Sequence, residues 1–186
     1  MMIPAIENMQ CAEHNHSRYL DVWEHSLRAI EMFETRPTPD ALQAHHREVE
    51  RYLNGPLMGY PGRWRIVKLG LLLYDIAKPR PRAVNLQGEL RFAKYETVGT
   101  EVVVDLARRL RLGRKVIKLI SCLVGNHLCA MKLLKSWPPK RRAITRFLMN
   151  TGEDWLGVLL FSYADVRAGL GELRPPRDIS RVELVM

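Results

Sequence analysis

The apolar residues of this chain come in runs of helical period, and each run ends at a break carrying proline or glycine. Leu20, Trp23, Leu27, Ile30 and Met32 or Phe33 recur at the spacing of one helix face, which predicts a helix over 17–34, with Ser17 or Asp21 as its N-cap and Pro37 and Pro39 ending it. A more polar helix is expected over 40–53, before the Pro/Gly-rich break NGPLMGYPG. An apolar helix over 64–77 stops before Pro79, because a residue preceding proline is pushed out of the α region. Helices over 95–110, 114–134, 140–150 and 154–170 follow, separated by LRLG, SWPP and NTGE. Irregular structure or a short extended pair is allowed only over 78–92, and nothing recurs at a fixed period. The expected fold is therefore all-α, a compact bundle of about six to eight helices.

At 186 residues and 47% hydrophobic, the chain supports one well-buried core. The formal charge of +9 favours an anionic partner, such as RNA, DNA, a nucleotide or membrane headgroups. Cys11, Cys122 and Cys129 form no CxxC pair, so neither a disulfide framework nor a zinc knuckle is suggested and a reducing cytosol is expected. The apolar stretch over 116–134 is interrupted by Lys118, Asn126, His127 and Lys132, and no membrane partner or span is expected.

Within this apolar frame, the segment LGLLLYDIAKP buries an aspartate, Asp75, at the end of an almost unbroken apolar run. A carboxylate there stays ionised only if a cation, a metal or several donors replace its lost hydration. His25, His127 and Asp165 occupy comparable positions on other predicted helices, so a converging polar centre is expected. Each taken singly reads as a hydrogen-bonded core residue.

The segments LDVWEHSLRAIEMFE, LLLYDIAKPRPR, GELRFAKYETVGTEVVVDLARRLRL, LVGNHL, RRAITRFLMNTGE and SYADVRA together resemble the HD domain of bacterial tRNA nucleotidyltransferases and poly(A) polymerases, within the HD superfamily of metal-dependent phosphohydrolases. The resemblance spans about residues 6–171, and it implies one HD domain over 1–171 followed by a tail or the start of a further helix over 172–186. It implies metal-ligand roles for His25, Asp75, His127 and Asp165. Two departures stand out: Tyr74 occupies the position of the motif histidine, and Tyr95 replaces a second histidine beside the retained Glu96. A neutral imidazole donates a lone pair at pH 7, whereas a phenol of pKa about 10 must first lose its proton.

Two readings of the centre stay open at this stage. His25, Asp75 and Asp165 hold one divalent metal, Mg²⁺ or Mn²⁺; or they form a metal-free hydrogen-bonded cluster in which Asp75 takes its compensation from His25 or the Tyr74 hydroxyl. Asp75 and Lys78 are the catalytic candidates, and Lys78 either faces a bound phosphate or is a solvated lysine at a helix end. Candidate nucleic-acid contacts are Arg80, Arg82, Arg108, Arg109, Arg111, Arg114, Lys115, Lys140, Arg141 and Arg142.

The chain lacks the Gly-Ser segment and Asp-x-Asp of the nucleotidyltransferase head, so no nucleotide addition is expected from it alone, and a separate chain carrying that head is an implied partner. Three functions follow: a degenerate HD domain that binds tRNA or another RNA or nucleotide; an active phosphohydrolase on nucleotides or 2′,3′-cyclic phosphates; or a remnant that survives as a protein-interaction domain.

Overall fold

The computed structural model describes residue 9 and residues 21–57, 59–78, 95–135 and 139–170. Within these residues the fold is all-α, with the helices α1 (Val22–Thr35), α2 (His46–Asn54), α3 (Arg63–Leu73), α4 (Tyr95–Arg109), α5 (Arg114–Lys135), α6 (Arg141–Thr151) and α7 (Trp155–Leu170). The expected extended pair falls almost wholly on residues outside this description, as do Ser17, Arg80, Arg82 and the segment after residue 170. An isolated β-bridge joins Leu57 and Tyr60, inside the Pro/Gly-rich break.

Asp21 starts α1: its backbone is extended, and its Oδ1 accepts the Glu24 N–H at 2.7 Å. The helix expected over 40–53 divides in two. Residues Asp40–His45 wind as a 3₁₀ turn and only His46–Asn54 is α-helical. Pro39 supplies no side-chain cap, and the Asp40 carboxylate turns back to Arg36 instead of closing the first turn.

The helix expected over 64–77 ends early, at Leu73. Beyond it the backbone tightens, with Ile76 N–H donating to Leu73 O at 3.1 Å and Lys78 N–H to Asp75 O at 2.9 Å. Such i→i−3 bonds are the usual way for a last turn to satisfy its carbonyls before proline stops it. Tyr74, Asp75 and Lys78 thus lie on a tight turn, not along a helix face.

Helix α5 is the centre of the bundle, packing on α3, α4, α6 and α7, while α1 packs chiefly on α7 and α3. By length and composition α5 is apolar enough over Arg114–Leu133 to cross a membrane, but Val116, Leu119, Ile120, Leu123 and Val124 are almost wholly buried in the core. At Gly70, an added Cβ would lie 2.8 Å from Phe161 Cε2, so α3 approaches α7 more closely there than a side chain allows.

The turn after α4 is a Schellman cap: Leu112 N–H donates to Ala107 O at 3.0 Å and Arg111 N–H to Arg108 O at 2.9 Å. Its left-handed residue is Arg111, at φ 54°, a position that glycine usually fills.

Candidate functional site: a buried histidine, tyrosine, aspartate and lysine cluster

Helix α1 places His25 and helix α7 places Asp165 so that His25 Nε2 lies 2.9 Å from Asp165 Oδ1. The hydroxyl of Tyr74 donates to the same oxygen at 2.7 Å. A carboxylate oxygen only accepts, so Nε2 of His25 carries the proton in this bond. On α5, His127 Nδ1 lies 2.6 Å from the Val124 carbonyl oxygen, which only accepts, so Nδ1 carries a proton in this bond. Tyr74 is the hub of the ring contacts. Its centroid lies 5.2 Å from that of His127 and 5.5 Å from that of Phe161, both edge-to-face.

Asp75 is fully buried, and the ammonium of Lys78, itself only 11% exposed, sits on its Oδ2. The lysine three residues on thus supplies a charge partner that the expectation from His25 or Tyr74 did not include. The tight turn after Leu73 carries Lys78 back over its own start, close enough to place Nζ 5.8 Å from the Tyr74 ring centroid as well. Lys78 is accordingly neither a solvated helix-end lysine nor free to face a phosphate while this pair holds.

Burial alone would raise the Asp165 carboxyl, but the hydrogen bond from His25 and the charges of His25 and His127 outweigh it and hold the group below the usual carboxylate range. Asp75 acts in the opposite sense, as a second carboxylate nearby. The arrangement is one of donors on acceptors: an ammonium on one carboxylate, an imidazole and a phenol on one oxygen of the other. Lys78 on Asp75 and His25 with Tyr74 on Asp165 each occupy one oxygen of a carboxylate, so a Mg²⁺ or Mn²⁺ ion of the kind the family resemblance implies would compete with these donors for the same two side chains.

The cluster thus brings together His25, Tyr74, Asp75, Lys78, His127 and Asp165. The side chains of Tyr95 and Glu96 lie outside the described residues. The cationic candidates fall into two groups. Arg108, Arg109, Arg111, Arg114 and Lys115 are exposed at the corner between α4 and α5, with Arg108 also paired to Asp105 at 3.2 Å. Lys140, Arg141 and Arg142 are exposed at the start of α6, beyond the far end of α5. At 1.5 Å per residue that helix holds the two groups about 30 Å apart.

A second polar cluster was missed in the sequence. Tyr52 OH donates to Asp154 Oδ1 at 3.1 Å, Arg63 Nε lies 3.9 Å from the same oxygen, and the Arg63 guanidinium stacks 5.0 Å from the Tyr52 ring centroid. It ties α2 and α3 to the start of α7. Burial, then Asp154, pushes the Tyr52 phenol up, and burial, then Asp154, pushes the Cys122 thiol up to about 11, which leaves that thiol unreactive at neutral pH.

The glycine in WLGVLL was the available signal for this cluster. A Cβ at Gly157 would lie 2.3 Å from Tyr52 Oη and 3.0 Å from Cζ. Gly157→Ala is expected to destabilise the fold by about 1–3 kcal/mol, as overpacking does, measured by chemical denaturation. A loss below about 0.5 kcal/mol, the usual surface effect, would show that the approach is not tight.

Burial also raises the Asp154 carboxyl, and the Tyr52 hydrogen bond and the Arg63 charge reverse only part of that. A raised carboxyl binds its proton more tightly in the fold than in the unfolded chain. Its contribution to stability is therefore greatest below the unfolded value, 3.8, and declines as pH climbs through the higher folded value. Asp154→Asn, which cannot titrate, should remove this decline, so that the stability of the variant relative to the wild type rises with pH above about 4. Denaturation midpoints that rise more steeply with pH in the wild type than in the variant would contradict this.

Fold and site together define an all-α domain with a buried, internally neutralised polar centre. Compared with known proteins, the chain matches no family model and no curated sequence.

Proposed function

We propose that this chain is a binding module, a degenerate domain of the HD type related to that of tRNA nucleotidyltransferases and poly(A) polymerases, which holds RNA through the corner between α4 and α5. The observation that carries the reading is Arg111. A left-handed backbone costs a residue with a Cβ about 1–2 kcal/mol, and glycine would remove that cost. An arginine there, among Arg108, Arg109, Arg114 and Lys115, supports a use for its guanidinium outside the fold. Phosphate contact by such a cluster is the simplest use in a chain of charge +9.

Arg111→Gly separates the two roles. The variant should be more stable by about 1 kcal/mol, from the relief of backbone strain, and should bind RNA more weakly. Labelled tRNA titrated by fluorescence anisotropy between about 50 and 200 mM salt should show affinity falling with salt, with a slope shallower by about 1 in the variant. No salt-sensitive binding at the lower concentration would end this reading.

The phosphohydrolase alternative, on nucleotides or 2′,3′-cyclic phosphates, requires Lys78 to leave Asp75. Hydrolysis dependent on Mn²⁺ and lost in Asp75→Asn would establish that reading in its place.

A further inference from the structure

Helix α6 is the least buried helix for its apolar content. Of its side chains, only Phe147 and Thr151 enter the core. Ile144 is 39% exposed, Leu148 44% and Met149 80%, and Trp155 at the start of α7 is 39% exposed. The sequence RRAITRFLMNT holds no acidic residue. Lys140, Arg141, Arg142 and Arg146 are all exposed, and among the described residues none of them forms an ion pair.

At 100° per residue, Ile144 and Leu148 border the buried side of Phe147 and Thr151; Arg141, Thr145 and Met149 follow outward, and Arg142 and Arg146 form the far flank. RNA phosphates would use the cations but would gain nothing from Ile144, Leu148 and Met149. A protein partner would need a groove shaped to a convex helix. An anionic lipid interface uses both halves of the pattern and needs no matching shape: the apolar residues enter the acyl boundary, and the arginine stems lie along it with their heads among the phosphates. Four cations near such a surface, together with the exposed apolar residues, suffice for reversible attachment.

We propose that α6 is a docking helix for anionic membrane surfaces, lying on the bilayer with Ile144, Leu148 and Met149 inserted and Lys140, Arg141, Arg142 and Arg146 on the headgroups. RNA binding by the corner between α4 and α5 is a separate property, carried by other residues.

The test is co-sedimentation of the full chain with vesicles of phosphatidylcholine alone and of phosphatidylcholine with phosphatidylglycerol. Binding is expected only to the anionic vesicles. The double variant Leu148→Ser, Met149→Ser should weaken it about tenfold while leaving tRNA affinity and the circular dichroism spectrum unchanged. Arg146→Glu should weaken it as well, and raised salt should do so in part. Binding that is abolished by salt and unaffected by the two serines would be electrostatic adsorption and would overturn the insertion. No binding to either vesicle would overturn the proposal outright, as would loss of exposure of Met149 through self-association in sedimentation velocity.

Discussion

Asp75→Ala is expected to lower stability by about 3–5 kcal/mol, the cost of breaking a buried ion pair by removing one partner. For a chain of this size that corresponds to a fall in Tm of about 10 °C. Asp75 is 0% exposed and Lys78 11%, so neither charge has much water to fall back on. The variant strands an ammonium beside the Tyr74 ring and opens a cavity below it. The double variant Asp75→Ala, Lys78→Met removes the stranded charge together with its partner and should recover a substantial part of the loss. If the double variant is as unstable as the sum of the two single ones, Lys78 is not what neutralises Asp75.

The second large effect lies one residue layer away. Asp165→Ala deprives the His25 imidazole and the Tyr74 hydroxyl of the oxygen that both of them use, at 2.9 and 2.7 Å. His25 and Tyr74 are each 1% exposed, so water does not readily take the place of that oxygen. At about 1–3 kcal/mol for each buried donor that loses its acceptor, the expected loss is about 3 kcal/mol or more. Tyr74→Phe in the wild type removes one donor only and should cost about 1 kcal/mol. In the Asp165→Ala background the same change should cost almost nothing, because the bond is already gone. Equal costs of Tyr74→Phe in both backgrounds would show that the phenol spends its hydrogen bond elsewhere.

Both predictions concern a cluster whose membership was legible and whose wiring was not. His25, Asp75, His127 and Asp165 stand out because a carboxylate or an imidazole in an apolar helical run must be compensated, and compensation in a small core means convergence. Which donor meets which acceptor depends on the direction of each side chain at the ångström level. Helix α3 ends at Leu73, short of the expected 77, and that early end turned Tyr74 toward Asp165 and Lys78 toward Asp75. No periodicity in LGLLLYDIAKP records this, since the i→i−3 bonds that tighten the turn satisfy a local shortage of partners, not a pattern of hydrophobicity.

The same distinction applies to the corner between α4 and α5. Gly113 in LRLG marks a helix stop, and a stop is there, but the left-handed residue is Arg111, two positions earlier. The end of α4 is set by where Leu106 and Ala107 finish packing, and Arg111 takes the backbone angle that this position requires. Gly157 signals a close approach but not which residues make it, and Tyr52, Arg63 and Asp154 could not be paired from the sequence for a related reason. Asp154 has the sequence context of an N-cap, ahead of Trp155, and only the approach of α2 makes it an acceptor for a phenol 102 residues away in sequence.

The sequence by itself determined the helices, their order and most of their ends, because apolar period, cap residues and proline act over a few neighbouring positions and are written there in full. The tertiary structure alone decided that Lys78 neutralises Asp75, that one oxygen of Asp165 serves both His25 and Tyr74, and that α5 parts the basic residues into two groups. Those outcomes are set by distances between elements far apart in the chain, and a distance in space is fixed by how whole helices pack.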